Sequence, residues 1–277
     1  MNVGGWGSPN DIFNFAVYYL LVPSLFIFSA GATYRIVKLI INAKIPKAQK
    51  GENGWGEMIK GLIMTFLRPI IFSAVAKPDD FIAGILLLHM VGVIPVLFLL
   101  SQHITWWSYY LPAYKALWIF NVPESITTSV LTVTSSVVPA SQMSYTFVNT
   151  IWGPLVVILN GDLLSILVLI AIGYKCAVRL TEILMKHSHT PKRYGDFIAY
   201  LLLFLIVFFG YAAARHWPSP NVAVYRNVLG LHVLFAELLF MYIPFSKYWH
   251  FVFGYWYGKL HEWYDNDIKR GEVSVEL

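Results

Sequence analysis

The chain has 277 residues, 57% of them apolar and only 13% charged, with a mean hydropathy of +0.60. A soluble domain of this length carries about twice that share of charge, so the composition excludes an ordinary soluble enzyme and points to an integral membrane protein. The net charge of +5 does not indicate a nucleic-acid partner, because the basic residues flank the apolar runs, where membrane orientation already accounts for them.

Five runs are long enough to cross a bilayer: residues 12–36, 81–103, 152–176, 197–215 and 227–246. The expected fold is an all-α bundle of five transmembrane helices forming a single domain over residues 1–277. The first run is preceded by no basic residue and continues into a basic stop, unlike a cleaved signal. The connector to the second run holds a shorter apolar patch, residues 64–76, broken by Arg68 and Pro69 and expected to lie along the cytoplasmic interface. After the second run comes a long segment, residues 104–150. It opens on Trp106, Trp107, Tyr109 and Tyr110, aromatics suited to headgroup depth. Asn160 and Asp162 interrupt the third run. The loop after it carries His187 and His189 among basic residues, which reads as a solvated loop. The fifth run contains Glu237, and the tail beyond it, rich in Trp and Tyr and holding His261 and Glu262, reads as a docking surface for a partner.

The basic residues alternate by side. Eight lie from Arg35 to the second run, five around the loop between runs three and four, and four after run five, seventeen in all. The opposite side holds only Lys115, Arg215 and Arg226. The positive-inside rule therefore puts the N-terminus outside and the C-terminal tail in the cytoplasm.

Four of the eight histidines fall at matched depths. His232 and His250 are 18 residues apart, five turns of one helix, which places both on one face about 27 Å apart. His89 and His103 are 14 residues apart and about 40° out of phase. Spans two and five run in opposite directions, so His89 pairs in depth with His250 on the inside and His103 with His232 on the outside. A lone intramembrane histidine is often a hydrogen-bonding helix contact. Four matched in depth and face are instead what two b-type haems with bis-imidazole ligation require. Such haem is non-covalent: the single cysteine, Cys176, excludes a Cys-x-x-Cys-His attachment and a full ligand set for an iron–sulfur cluster. His216 is a reserve outer ligand, and Arg215 and Arg226 are candidate propionate partners. Glu237, Asn160 and Asp162 read either as a proton route or as hydrogen-bonding groups toward a propionate or a neighbouring helix.

The run from Leu231 to His250, with its His, Leu-Phe, Pro-Phe-Ser-Lys and second His, resembles the last span of the respiratory nitrate reductase gamma subunit. That family includes the membrane cytochromes b of sulfite-reduction, heterodisulfide-reductase and sulfate-reducer transmembrane complexes. The resemblance implies a multi-pass protein of a prokaryotic cytoplasmic membrane that holds two haems b. It implies electron transfer between the quinone pool, on the outer side, and an iron–sulfur or other redox subunit docked on the cytoplasmic side, so that the chain alone is not a complete enzyme. In that family the span-two histidines are ten residues apart. Here position 99 is Leu and His103 stands one turn further on. His103, Trp106, Lys115 and Arg226 lie at the depth expected of a quinone pocket. The rival reading is a haem-free transporter or proton-conducting protein whose His, Asp and Glu line a polar path.

Overall fold

The computed structural model describes residues 11–42, 81–120, 161–185 and 191–249, with scattered positions between 56 and 78 and between 151 and 159. Five helices are long and apolar enough to cross a membrane, and no strand occurs among the described residues. Among the described residues the protein is thus all-helical, and its five long apolar helices mark a multi-pass membrane protein. We label the helices α1 (residues 12–42), α2 (residues 81–110), α3 (Gly161–Leu184), α4 (Pro191–Ala214) and α5 (Val222–Tyr242). Their outward faces stay apolar: Phe26 is 73% exposed and Ile170 60%, a pattern that suits lipid and not water.

Proline sets the winding of three of them. Phe15–Leu20 of α1 is π-wound just before Pro23, and Phe81–Val93 of α2 is π-wound just before Pro95. A proline lacks the N–H that its helix needs four residues back, and in lipid the freed carbonyl has no water to turn to. Local π or 3-10 winding re-pairs such groups inside the helix. The third case is α5, which ends at Tyr242, passes into a 3-10 turn, Ile243–Phe245, around Pro244, and reaches extended backbone at Ser246 (φ −117°, ψ 175°).

Two expectations fail for that reason. His232 and His250 do not lie on one unbroken α-helix, since the winding changes at Pro244 and stops at Ser246. The phase of about 40° between His89 and His103 also does not hold, because a π-turn advances fewer degrees per residue than an α-turn and His89 sits in the π-wound part of α2.

Helix boundaries moved as well. Helix α3 starts at Gly161, well after residue 152, with Asp162 in its first turn where the helix dipole favours a carboxylate. It runs on past its apolar stretch because Arg179 pairs with Glu182 at 2.6 Å and with Asp196 of α4 at 3.5 Å. Helix α4 begins at Pro191 instead of 197, proline being favoured at a first helical position. Helix α5 begins at Val222 instead of 227, where the Asn221 side-chain oxygen accepts from the Ala223 N–H at 2.9 Å.

The described chain packs as two compact units. In the unit formed by Met1–Leu25 and Leu86–Phe240, α2, α3, α4 and α5 follow one another antiparallel. Gly92 of α2 meets Ile172 and Ala171 of α3, while Phe98 and Leu99 meet Leu164. Along α3 and α4, Asp162 pairs with Arg215 and Arg179 with Asp196, a steady antiparallel register. Ala212 and Ala213 of α4 cluster with Tyr225 and Val228 of α5. Small residues line these contacts, as close packing in lipid requires. The first turn of α1 lies on α5 at Gly230, where a Cβ would stand 2.8 Å from the Ile12 carbonyl carbon and the Phe13 Cα. The second unit, Phe26–Ile85 with Met241–Leu277, contains the Arg35 guanidinium, which donates from Nε to the Pro244 carbonyl at 2.8 Å. The connector positions Ile59, Ile63, Leu67, Ile71 and Val75 are helical and exposed at four-residue spacing.

Candidate functional site

His103 lies in the α-wound part of α2 and His232 in the third turn of α5. The antiparallel bundle brings their rings together: the centroids are 5.9 Å apart and the planes 13° from parallel. Each ring is fixed by a backbone carbonyl. His103 Nδ1 lies 3.1 Å from the Leu99 oxygen of its own helix, and His232 Nδ1 lies 2.8 Å from the Ile206 oxygen of α4. A carbonyl only accepts, so in each ring Nδ1 is the nitrogen that donates, and in the neutral imidazole this leaves Nε2 with its lone pair. That is the tautomer of a metal-ligating imidazole whose far nitrogen is anchored to a carbonyl.

Two imidazoles that share one metal through nitrogens about 2 Å from it have ring centres about 6 Å apart. The two rings lie side by side at 5.9 Å with their planes 13° apart, so the bundle brings together the two histidines that the sequence paired in depth. No group of three or more His, Cys, Asp or Glu is arranged to hold a bare metal ion among the described residues, whereas axial ligation of haem needs only two.

The other expected site residues fall as follows. His89 is part-buried in the π-wound half of α2, and His250 lies outside the described residues, so the inner couple has one described member. His187, His189, His261, Glu262 and Asn160 also lie outside them. Trp106 belongs to α2, but its side chain is not among those described. Lys115 is exposed on the 3-10 helix Pro112–Phe120.

His216 serves the end of α4. It holds a left-handed backbone (φ 51°) and donates its N–H to Ala213, while Trp217 donates to Ala212. These two bonds close a Schellman cap, a position usually given to glycine and tolerated by His at some cost. The ring lies flat on Tyr225, with centroids 4.8 Å apart.

Both arginines expected at propionates have carboxylate partners within the protein. Arg215 pairs with Asp162 across α3 and α4. Arg226, 4% exposed, donates from Nε to Asp11 at 2.8 Å and from NH2 to Asn14 at 3.1 Å, and its guanidinium sits 4.8 Å from the centre of the Phe13 ring. A buried guanidinium needs an anion, and Asp11, N-cap of α1 through the Asn14 N–H at 2.7 Å, supplies it. The Arg226 hydrogen bond holds the Asp11 carboxyl below its ordinary value. Arg226 is therefore a latch between α1 and α5.

Glu237 lies seven residues beyond Gly230 and eleven beyond Arg226, on the same helical face. It is 6% exposed, and neither carboxyl oxygen has a hydrogen-bond partner among the described residues.

Three features escaped the sequence reading. Gly210 lies against the His232 ring, and Gly230 brings α1 onto α5. The Asp11–Arg226 pair spans nearly the whole chain. An Asp before an apolar run with Asn three residues later is a recognisable cap, but nothing local names its distant partner. The chain matches no family model, no curated protein and no solved structure.

Proposed function

We propose that this protein is the dihaem cytochrome b subunit of a respiratory redox complex in a prokaryotic cytoplasmic membrane, with its N-terminus outside and its C-terminal tail in the cytoplasm. The observation that carries this reading is the His103–His232 couple, each ring with Nδ1 at a backbone carbonyl and the ring centres 5.9 Å apart. His89 and His250 are the proposed inner couple. Haem bound at these couples supplies reversible one-electron chemistry. The chain's own residues do the rest. The two carbonyls orient the imidazoles, and the apolar helices around them keep water out. The excess of Lys and Arg on one side orients the bundle. Quinol is the proposed substrate at the outer side. Its oxidation gives up two electrons, which pass to a redox subunit docked at the cytoplasmic tail, and two protons, which leave outward. Quinone reduction is the reverse of the same reaction.

One observation favours a second reading. The buried Glu237 carboxyl, which has no hydrogen-bond partner among the described residues, suits a proton-conducting path in a haem-free protein. Visible spectroscopy of the purified protein separates the two. A reduced-minus-oxidised spectrum with the α-band of haem b is expected, with one haem lost in His232→Ala. A colourless, folded preparation from haem-replete cells overturns the cytochrome reading and leaves the proton path.

A further inference from the structure

Gly210 of α4 stands against the His232 ring. A Cβ at this position would lie 2.9 Å from Nδ1 and 3.0 Å from Cε1, closer than those atoms can approach, so any larger residue must displace the imidazole. One turn earlier on the same helix is Ile206, whose carbonyl receives the Nδ1 hydrogen at 2.8 Å. These two facts have one cause. In an α-helix the carbonyl of residue i points at the N–H of residue i+4, whose side chain helps to cover it. With glycine at i+4, the second lone pair of the Ile206 oxygen is open to a donor from outside the helix. His103 has no such dependence, because its Nδ1 partner, Leu99, is on its own helix.

We propose that Gly210 is a positioning residue for His232: by exposing the Ile206 carbonyl it holds Nδ1 as the donor, fixes the direction of the imidazole and leaves Nε2 as the ligating nitrogen. This rests on the reading of His232 as a haem ligand. Helix α4 then shapes the outer haem site while offering it no ligand of its own. The outer site is sensitive to α4 through the His232–Ile206 hydrogen bond.

The test compares Gly210→Ala with Gly84→Ala in the full-length protein purified from haem-replete cells. A Cβ at residue 84 meets nothing within 4 Å. Haem content, the low-spin electron paramagnetic resonance signals, carbon monoxide binding and elution profile are read for each. The expected result is that Gly210→Ala elutes as wild type and keeps one haem unchanged. The other haem is lost, or turns high-spin and binds carbon monoxide. Gly84→Ala should match wild type in every readout. If wild type holds two low-spin haems and Gly210→Ala keeps both with unchanged signals, the positioning role is overturned and the cytochrome reading stands. Loss of both haems together with aggregation also overturns it, since Gly210 would then serve packing alone. A wild type without haem overturns both.

Discussion

Two acids in this protein, Asp11 and Glu237, stand in opposite electrostatic situations. Asp11 caps α1 and takes the Nε hydrogen of Arg226, so its charge is matched. Because the folded-state value of the carboxyl lies below that of the free group, the pair's stabilisation is fully present above about pH 4 and is lost as pH falls through the folded-state value. Asp11→Asn keeps a capping oxygen and removes the charge. It is expected to cost about 1.5–3 kcal/mol, the range for hydrogen bonds to charged groups. Thermal unfolding in detergent across pH should show the gap between wild type and variant closing on the acid side. A gap that stays constant to low pH would contradict the pairing. Glu237 has no partner among the described residues, and an unsatisfied buried polar group costs about 1–3 kcal/mol. Glu237→Leu, of similar size, is therefore expected to melt above wild type. A lower melting temperature would mean that the carboxyl has a partner that the leucine cannot replace.

Helices in this bundle are shaped by where they cannot be α-helical and by where they come closest. The π-wound stretches ahead of Pro23 and Pro95 and the 3-10 turn at Pro244 each follow from an N–H that proline does not have. Every such change re-aims the side chains beyond it, which is why a count of 100° per residue misplaced His89 relative to His103. Close approach is set at Gly230, where a Cβ would strike the backbone of Ile12 and Phe13. Backbone cannot rotate away as a side chain can, so the helices must part. Gly230→Leu is expected to destabilise by at least about 1–3 kcal/mol, the usual cost of overpacking, and to expose Arg226 and Asp11 as α1 lifts. Limited proteolysis near the start of α1 should accelerate. Unchanged cleavage would contradict the close backbone contact at Gly230.

At the scale of the whole molecule, orientation is the open question that charge answers. With seventeen Lys and Arg on one side and three on the other, the N-terminus is expected outside. The protein has one native cysteine, Cys176. In a Cys176→Ala background, Ser8→Cys should react with an impermeant maleimide in intact cells, and Ser188→Cys only after permeabilisation. The opposite pattern would reverse the proposed sides of quinone and redox partner.

The number of crossings and the all-helical class were legible from residues alone, since both depend on runs of apolar side chains about as long as a bilayer is thick. That His103 and His232 come to one level of the bundle was legible too, because antiparallel spans return to the same depth. Helix ends were read less well: hydropathy is blind to the Asn221 cap and to the Arg179–Glu182–Asp196 cluster that carries α3 beyond its apolar stretch. Which carbonyl holds His232, and which acids take Arg215 and Arg226, only the folded bundle decided. Those partners lie on other helices, and their distance depends on winding at prolines and on the absence of a Cβ at Gly210 and Gly230. Composition acts locally and summed over a span. A hydrogen bond between helices is settled to a few tenths of an ångström by everything packed around it.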